Sequence, residues 1–508
     1  MPYVELHCHS HYSLLDGASS PEALLDRAAE LGYTALAVTD HDGLYGAIPF
    51  YLAARERGIK PIIGAEVTLA DGSHLTLLAR DRAGYANLCG LLSQAGLAGS
   101  KRHPMLAWEV LAGRARGLIA LSGCERGALP RLLMEGRLDE ARELAGRCRE
   151  VFGSGNFFIE LQRHRLPEDA RRNYHLTQLA RRLRLPTVAT HNVHYATRER
   201  HRLHDVLNAI AQRTTVDQAR LRANSEYYLL SPAEAEAWHR AHPEAIAATA
   251  EIAGQCQVDL DFSGERLPEY PVPPGETAFS YLYQLCHEGL RRKYQPVTPE
   301  AARQLQYELS VIQEAGLAGY FLIVWDIVRF ARQQKILARG RGSAANSIVA
   351  YVLDITAVDP LAHRLLFERF LTPGSRTMPD IDIDFAADRR EEVIQYAYRT
   401  YGQERTGMVA TMVTYHARSA VRDVGKALGF PLDVVDQVAR MVPVTGDVPS
   451  AVQRLAGEAA HTGPWQLLTD LAQQIEGTPR HLGIHSGGMI LTGAPLSEIV
   501  PLERATMP

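Results

Sequence analysis

Three aspartates within five residues could bind divalent metal. Asp380, Asp382 and Asp384 alternate with Ile381, Ile383 and Phe385, just after Pro379. A period of two predicts a β-strand over 379–385. Residues i and i+2 of a strand share one face, about 7 Å apart at ~3.3 Å per residue. Carboxylates that close repel each other, and a divalent cation removes the repulsion. Two of them could bridge a pair of Mg²⁺ ions roughly 3.5–4 Å apart, the arrangement used for in-line phosphoryl transfer. A calcium loop is one competing reading, but it needs Gly at its sixth position, where Phe385 stands, and a distant Glu. A solvated edge strand is the other.

An anion-binding loop precedes the aspartates. In Ala338-Arg339-Gly340-Arg341-Gly342-Ser343-Ala344-Ala345-Asn346-Ser347, the glycines let backbone N–H groups approach a phosphate. Ser343 is expected to cap the following helix, whose N-terminus favours an anion. Arg339 and Arg341 add charge-assisted contacts. Gly340-x-Gly342-x-x-Ala345 matches a dinucleotide fingerprint in form only. That fingerprint needs a preceding strand and an acid about 20 residues on. Here the preceding segment reads as mostly helical. A loop for a triphosphate, followed by aspartates for its metals, makes a coherent nucleotidyltransferase palm.

The first half carries a second candidate site. Short β-branched runs alternate with helical stretches, the pattern of βα units around a parallel sheet or barrel. Polar residues recur where the runs end. Tyr3 to Leu6 leads into His7-Cys8-His9, with Asp16 just beyond. Ala35 to Val38 leads into Thr39-Asp40-His41, and Pro61 to Gly64 into Glu66. His74 opens Leu75 to Leu78. Leu118 to Leu121 leads into Ser122-Gly123-Cys124, and Pro186 to Ala189 into Thr190-His191-Asn192-Val193-His194. The C-terminal ends of barrel strands face one mouth, where chemistry collects. Mixed imidazole and carboxylate ligands suit Zn²⁺, Mn²⁺ or Fe, and open positions on such metals activate water.

These motifs resemble the polymerase-and-histidinol-phosphatase (PHP) domain that opens bacterial C-family DNA polymerase III alpha subunits. The resemblance implies a distorted βα barrel with metal ligands His7, His9, Asp16, His41, Glu66, His74, Cys124 and His194. Where the family usually has Asn-Asp-Val-His, this chain has His191-Asn192-Val193-His194, so Asn192 replaces a carboxylate. His191 could compensate, although on a continuing strand it faces away from Asn192. Residues 340–347, Leu366-Phe367-Glu368-Arg369-Phe370-Leu371 and 379–385 look like the C-family palm in that order. Leu15-Asp16-Gly17-Ala18-Ser19, Asp354 to Pro360 and Arg389 to Tyr396 look most like the error-prone, damage-tolerant alpha subunits. The resemblance implies catalytic Asp380 and Asp382 holding Mg²⁺ or Mn²⁺, with Asp384 structural. Arg339, Gly340, Arg341, Gly342 and Ser343 would bind the nucleotide. Arg418, Arg422, Lys426, Arg480 and His485 would meet DNA or phosphate; a solvated basic helix face is the alternative for some of them.

The expected fold is α/β, a PHP-type barrel over 1–262 followed by an α+β palm with a helical thumb insertion. A Pro-rich joint spans 263–275, with Pro268, Pro271, Pro273 and Pro274, which suit neither helix nor central strand. The palm with its loop and aspartates covers 276–410, and a thumb-like region 411–485. The start of a returning palm strand covers 486–508 and is expected to stop short of a third aspartate. Helices are expected at 278–293, 298–315 and 319–334, the last buried.

Composition adds bounds. The chain has 508 residues and a formal net charge of -4, so overall charge gives no support for a nucleic-acid partner. Only Lys60, Lys101, Lys293, Lys335 and Lys426 are lysines, and the remaining cations are arginines. Six scattered cysteines suggest a reducing cytosol and a cytoplasmic protein. No apolar run approaches a membrane span. Three functions follow as expectations. The first is a template-directed DNA polymerase using primer–template DNA and dNTPs, with a second chain or C-terminal half supplying the third Asp, fingers and clamp-binding region. The second is a phosphoesterase or 3′→5′ exonuclease working through the barrel. The third is an inert structural fragment.

Overall fold

The computed structural model describes residues 3–99, 105–262, 268–372, 379–443 and 446–505. Residues 263–267 of the expected joint and 506–508 of the expected returning strand lie outside the described residues. The chain divides into two compact units. One holds Met1–Asp261, Ala410–Ile484 and Ser497–Pro508; the other holds Phe262–Val409 and His485–Leu496.

The first unit is built on six adjacent strands: β1 (Ala35–Val38), β2 (Lys60–Thr68), β3 (His74–Ala79), β4 (Leu118–Leu121), β5 (Phe157–Gln162) and β6 (Thr187–Thr190). β1 and β2 are parallel, as are β4, β5 and β6, while β3 runs antiparallel to both its neighbours. All four residues of β1, β4 and β6 are buried, which explains their unbroken apolar runs. Helices such as Pro21–Glu30, Leu138–Phe152 and Asp169–Leu183 fill the connections. Ser20 starts the first of these by accepting from the Ala23 N–H, with Pro21 at the first helical position.

The expected strand Tyr3–Leu6 is reduced to isolated bridges. Glu5 bridges Leu36 of β1, and Cys8 bridges Val193 just beyond β6. The segment therefore links the first and last strands and closes the ring. It is not a continuous strand because side chains take its amides: Val4 N–H donates to Thr249 Oγ1, His7 N–H to Glu5 Oε1 and Cys8 N–H to Thr39 Oγ1. Val4, Leu6, Ala37, Ile62, Leu78, Ile119, Phe158 and Val188 form the ring's core with Ile252. A second core in this unit packs the helix His201–Gln212 through Leu203, Val206 and Leu207 against Val421, Val424, Val438 and Leu468 of the later helices.

The second unit contains the helices Ala278–Lys293, Pro299–Glu314 and Ala318–Gln333, close to their expected places. Phe321 and Leu322 are fully buried, each contributing about 1.5–3 kcal/mol. Two short strands follow, β7 (Ala338–Arg341) and β8 (Asp382–Phe385), paired antiparallel with Arg341 opposite Asp382 and Arg339 opposite Asp384. The expected strand over 379–385 thus begins only at Asp382. The Pro379 carbonyl accepts from Tyr320 OH, and the Asp380 carbonyl from Ser343 Oγ, so these groups leave the ladder. All six cysteines are buried and unpaired. No single helix among the described residues is long and apolar enough to cross a membrane.

Candidate metal centre and nucleotide loop

Glu66, near the end of β2, is the hub of the barrel mouth. Its Oε1 lies 3.3 Å from His7 Nε2, and its Oε2 lies 2.9 Å from His41 Nδ1 and 3.1 Å from His74 Nδ1. His9 Nε2 is 3.7 Å from Oε2. Asp16 joins from the loop after His9, its Oδ2 lying 2.8 Å from His41 Nε2 and 3.3 Å from His194 Nε2. Cys124 Sγ stands 3.6 Å from His74 Nδ1. The structure therefore brings His7, His9, Asp16, His41, Glu66, His74, Cys124 and His194 to one place. His191 stays out. Its ring packs between His164 and Trp238, so it does not make up for Asn192, whose Oδ1 instead meets His9 Nε2 at 3.1 Å.

The donor set fits metal. His7 Nε2 and Glu66 Oε1 are buried and neither has a hydrogen-bond partner, although they lie 3.3 Å apart. Groups of three donors recur: His7, His9 and Glu66; His41, Glu66 and His74; His9, His41 and His194; and Asp16, His194 and His204. Burial opposes charge on His7, but Glu160 and Glu66 outweigh it and push its pKa up to about 10. His41 is also raised to about 10, where Glu66 and Asp16 outweigh the same burial. The pocket attracts positive charge, as protons or as metal ions that displace them.

Several supporting residues were not among the expected ligands. Glu160 accepts from His7 Nδ1 at 2.7 Å, Gly123 N at 3.0 Å and Gln162 Nε2 at 2.8 Å, orienting the imidazole as outer partners of metal ligands do. The alternating Phe157-Phe158-Ile159-Glu160-Leu161-Gln162 was the available signal. Asp40 accepts from Ser10 N, Ser10 Oγ and Ser13 Oγ, fixing the turn that leads to Asp16. His204 and Arg222 also reach the cluster, from a helix and a loop with no local motif.

In the second unit the loop lies on the aspartates. Gly342 has φ +69, and a Cβ added there would sit 3.4 Å from Asp382 Oδ2. Arg341 pairs with both carboxylates, Nη1 to Asp382 Oδ2 at 3.2 Å and Nε to Asp384 Oδ1 at 3.1 Å. The helix Ala318–Gln333 precedes the loop, as expected, and the loop itself opens with the strand β7. β7 runs antiparallel to β8, so no parallel βαβ unit forms there and the dinucleotide reading fails as expected. One expectation is corrected. Ser343 caps nothing; Gly342–Asn346 is a 3₁₀ turn, and Ser347 caps the helix Ile348–Val352 by accepting from Ala350 N. Buried Glu308 anchors that start, accepting from Ser347 Oγ, Ile348 N and Val349 N.

Residues 5–164 match the PHP domain, and residues 280–508 match the bacterial DNA polymerase III alpha NTPase domain. These two matched regions together are similar to the two halves of the polymerase resemblance described above. It is 42% identical over 529 residues to a protein of Symbiobacterium thermophilum named error-prone DNA polymerase, covering 99% of this chain and 49% of that protein. An error-prone DNA polymerase of Cutibacterium acnes is 44% identical over 531 residues, 100% of this chain and 46% of its own length. A DNA polymerase III subunit alpha of Treponema pallidum is 39% identical over 528 residues, covering 99% and 45%. The chain spans about half the length of these relatives.

The basic residues of this chain are differently occupied. Arg418 donates to the Val442 carbonyl and Arg422 pairs with exposed Asp436. Arg480 pairs with Asp423 at 2.9 Å and stacks over Tyr415. Lys426 and Arg480, with Arg213 and Gln218, line a cavity of about 730 Å³ in the first unit. His485 lies apart in the second unit, its Nδ1 accepting from the Gly488 N–H. Arg339 is exposed on β7.

Proposed function

We propose that this chain carries the nucleotidyl-transfer site of a template-directed DNA polymerase of the error-prone type, serving replication and damage tolerance. The observation that carries the reading is 42% identity across 99% of the chain to a protein named error-prone DNA polymerase. The loop laid against Asp382 supports it. In this reading Asp380 and Asp382 hold Mg²⁺ or Mn²⁺, which an all-oxygen donor set suits and which would stabilise charge on the transferring phosphate. Gly342 and Ser343 present backbone N–H groups to the triphosphate, with Arg339, Gly340 and Arg341 beside them. Arg341 offsets the charge of Asp382 and Asp384 and is placed to move to phosphate. Arg418, Arg422, Lys426, Arg480 and His485 would follow primer–template DNA.

In the same reading, 1–262 is the PHP barrel, 276–410 the palm, 411–485 the thumb-like region and 486–508 the returning palm, joined at 263–275. The relatives extend to about twice this length. We assign a third aspartate, the fingers and the clamp-binding region to that further length, in the same or a second chain. Equilibrium binding of a fluorescent dNTP with Mg²⁺ tests the site. Asp380→Ala and Asp382→Ala should each weaken it at least about tenfold, since each removes an ion-coordinating carboxylate; affinities equal to wild type would exclude both roles.

His7 Nε2 and Glu66 Oε1 favour a second reading, a phosphoesterase or 3′→5′ exonuclease acting through Zn²⁺, Mn²⁺ or Fe at the barrel mouth. The ligands would be His7, His9, Asp16, His41, Glu66, His74, Cys124 and His194. Primer shortening that survives Asp380→Ala but not His9→Ala would assign it.

A further inference from the structure

Arg222 reaches into the barrel-mouth cluster from the loop between the helix His201–Gln212 and Tyr227. Its Nη2 lies 2.5 Å from His194 Nε2, and its guanidinium stacks over the Tyr227 ring at 4.2 Å. The tautomer of His194 makes this contact informative. Its Nδ1 faces the Asn192 carbonyl at 2.9 Å and must donate there, so Nε2 presents a lone pair to the cluster. Asp16 Oδ2 lies 3.3 Å from that same Nε2. Two acceptors this close need a cation between or beside them. His204 Nε2, 3.3 Å from Asp16 Oδ1, completes the donor group.

We propose that Arg222 is a built-in cation that takes the place of a divalent ion at His194, so that the cluster holds two divalent ions. This rests on reading the barrel mouth as a metal centre. Both donor groups that use His194 lose it to the guanidinium, because one lone pair serves either a metal or an N–H donor. The two groups that remain are His7, His9 and Glu66, and His41, Glu66 and His74. They share Glu66, whose Oε1 turns to His7 and Oε2 to His41 and His74, the geometry of a carboxylate bridging two ions. Asn192 points the same way: it is neutral and brings no charge to the His194 side of the cluster. A site with one carboxylate fewer binds a third dication more weakly, whereas a monovalent guanidinium suits it.

The test is metal stoichiometry, counted by mass spectrometry after equilibration of the 508-residue chain with Mn²⁺ and removal of free metal, with Asp380→Ala and Asp382→Ala present in every protein, wild type at the barrel mouth included, so that the barrel mouth alone is counted. The expected counts are two Mn²⁺ per chain for wild type, three for Arg222→Met and two for Arg222→Lys. Methionine keeps the stem that covers Tyr227, and lysine keeps a donor for His194. Circular dichroism of each variant checks folding, and the wild-type count stands without any variant. Three ions in wild type, or two in a folded Arg222→Met, overturn the role of Arg222 and leave the metal centre standing. One ion in wild type overturns the count of two and leaves a metal centre standing, whereas none overturns the metal-centre reading, and this proposal falls with it.

Discussion

Replacing Glu308 with Gln is expected to remove a loss of stability that the second unit suffers as pH rises from acid to alkaline. Glu308 is fully buried beneath the start of the helix Ile348–Val352. Burial raises its pKa to about 7, although Gln304, Ile348 N, Ser347 and Val349 N all donate to it and oppose the rise. An acid whose folded pKa exceeds its unfolded value binds more protons when folded, so stability falls as pH rises between the two. The window runs from 4.5, its unperturbed value, to about 7. A shift of that size corresponds to about 3 kcal/mol. Gln does not titrate, but its Nε2 cannot accept from the backbone N–H it would face, Ile348 N or Val349 N, so the variant carries a cost that is the same at every pH. Between pH 4.5 and pH 8 the stability difference should therefore move by about 2–3 kcal/mol in the variant's favour. Urea unfolding followed by Trp325 fluorescence reads this, with Trp108, Trp238 and Trp465 changed to Phe in both proteins so that Trp325 alone reports. Taking the difference between the two proteins removes every other titrating group. A difference that stays constant with pH, or that grows in wild type's favour, would refute the reasoning. Glu308→Ala is a separate case, since it strands Ile348 N, Val349 N and Ser347 Oγ and should cost about 3–5 kcal/mol.

Two more perturbations follow from the sites. Glu160→Gln should lower Mn²⁺ affinity about 10–100-fold in a titration, because the group that orients His7 Nδ1 becomes a poorer acceptor. An unchanged affinity would remove His7 from the metal centre. Gly342→Ala places a side chain at φ +69 and against Asp382, so it should cost about 1–2 kcal/mol of stability and weaken Mg²⁺–dNTP binding. Thermal melts and nucleotide titration check the two effects, and a neutral result in both would place the loop away from the nucleotide.

The strands β1, β3 and β4 were legible because each is a short apolar run closed by polar residues, and the chain has few other such runs. Strand Tyr3–Leu6 was misjudged because its Val4 amide binds the Thr249 side chain, and the amides just past it, of His7 and Cys8, bind Glu5 and Thr39. β5 carried a readable pattern, Glu160 and Gln162 two apart on one face, but its polar residues do not sit past the strand end. Arg222 and His204 were beyond local reading, since only the closed ring brings them to Asp16 and His194. Around the aspartates, the period-two pattern was correct but its first half was claimed by Tyr320 and Ser343. Glu308 had a signal: it interrupts the helical apolar face of Leu305, Leu309 and Ile312, and a charge on such a face needs buried partners.

The most direct test of the proposed activity is a single incubation of the 508-residue chain, together with a polypeptide that supplies the further length of its relatives, with 5′-labelled primer–template DNA, four dNTPs, Mg²⁺ and Mn²⁺, resolved on a denaturing gel. The expected result is primer lengthening that Asp380→Ala and Asp382→Ala abolish and His9→Ala retains. Lengthening that survives both aspartate substitutions would contradict the assignment of the chemistry to the 379–385 segment.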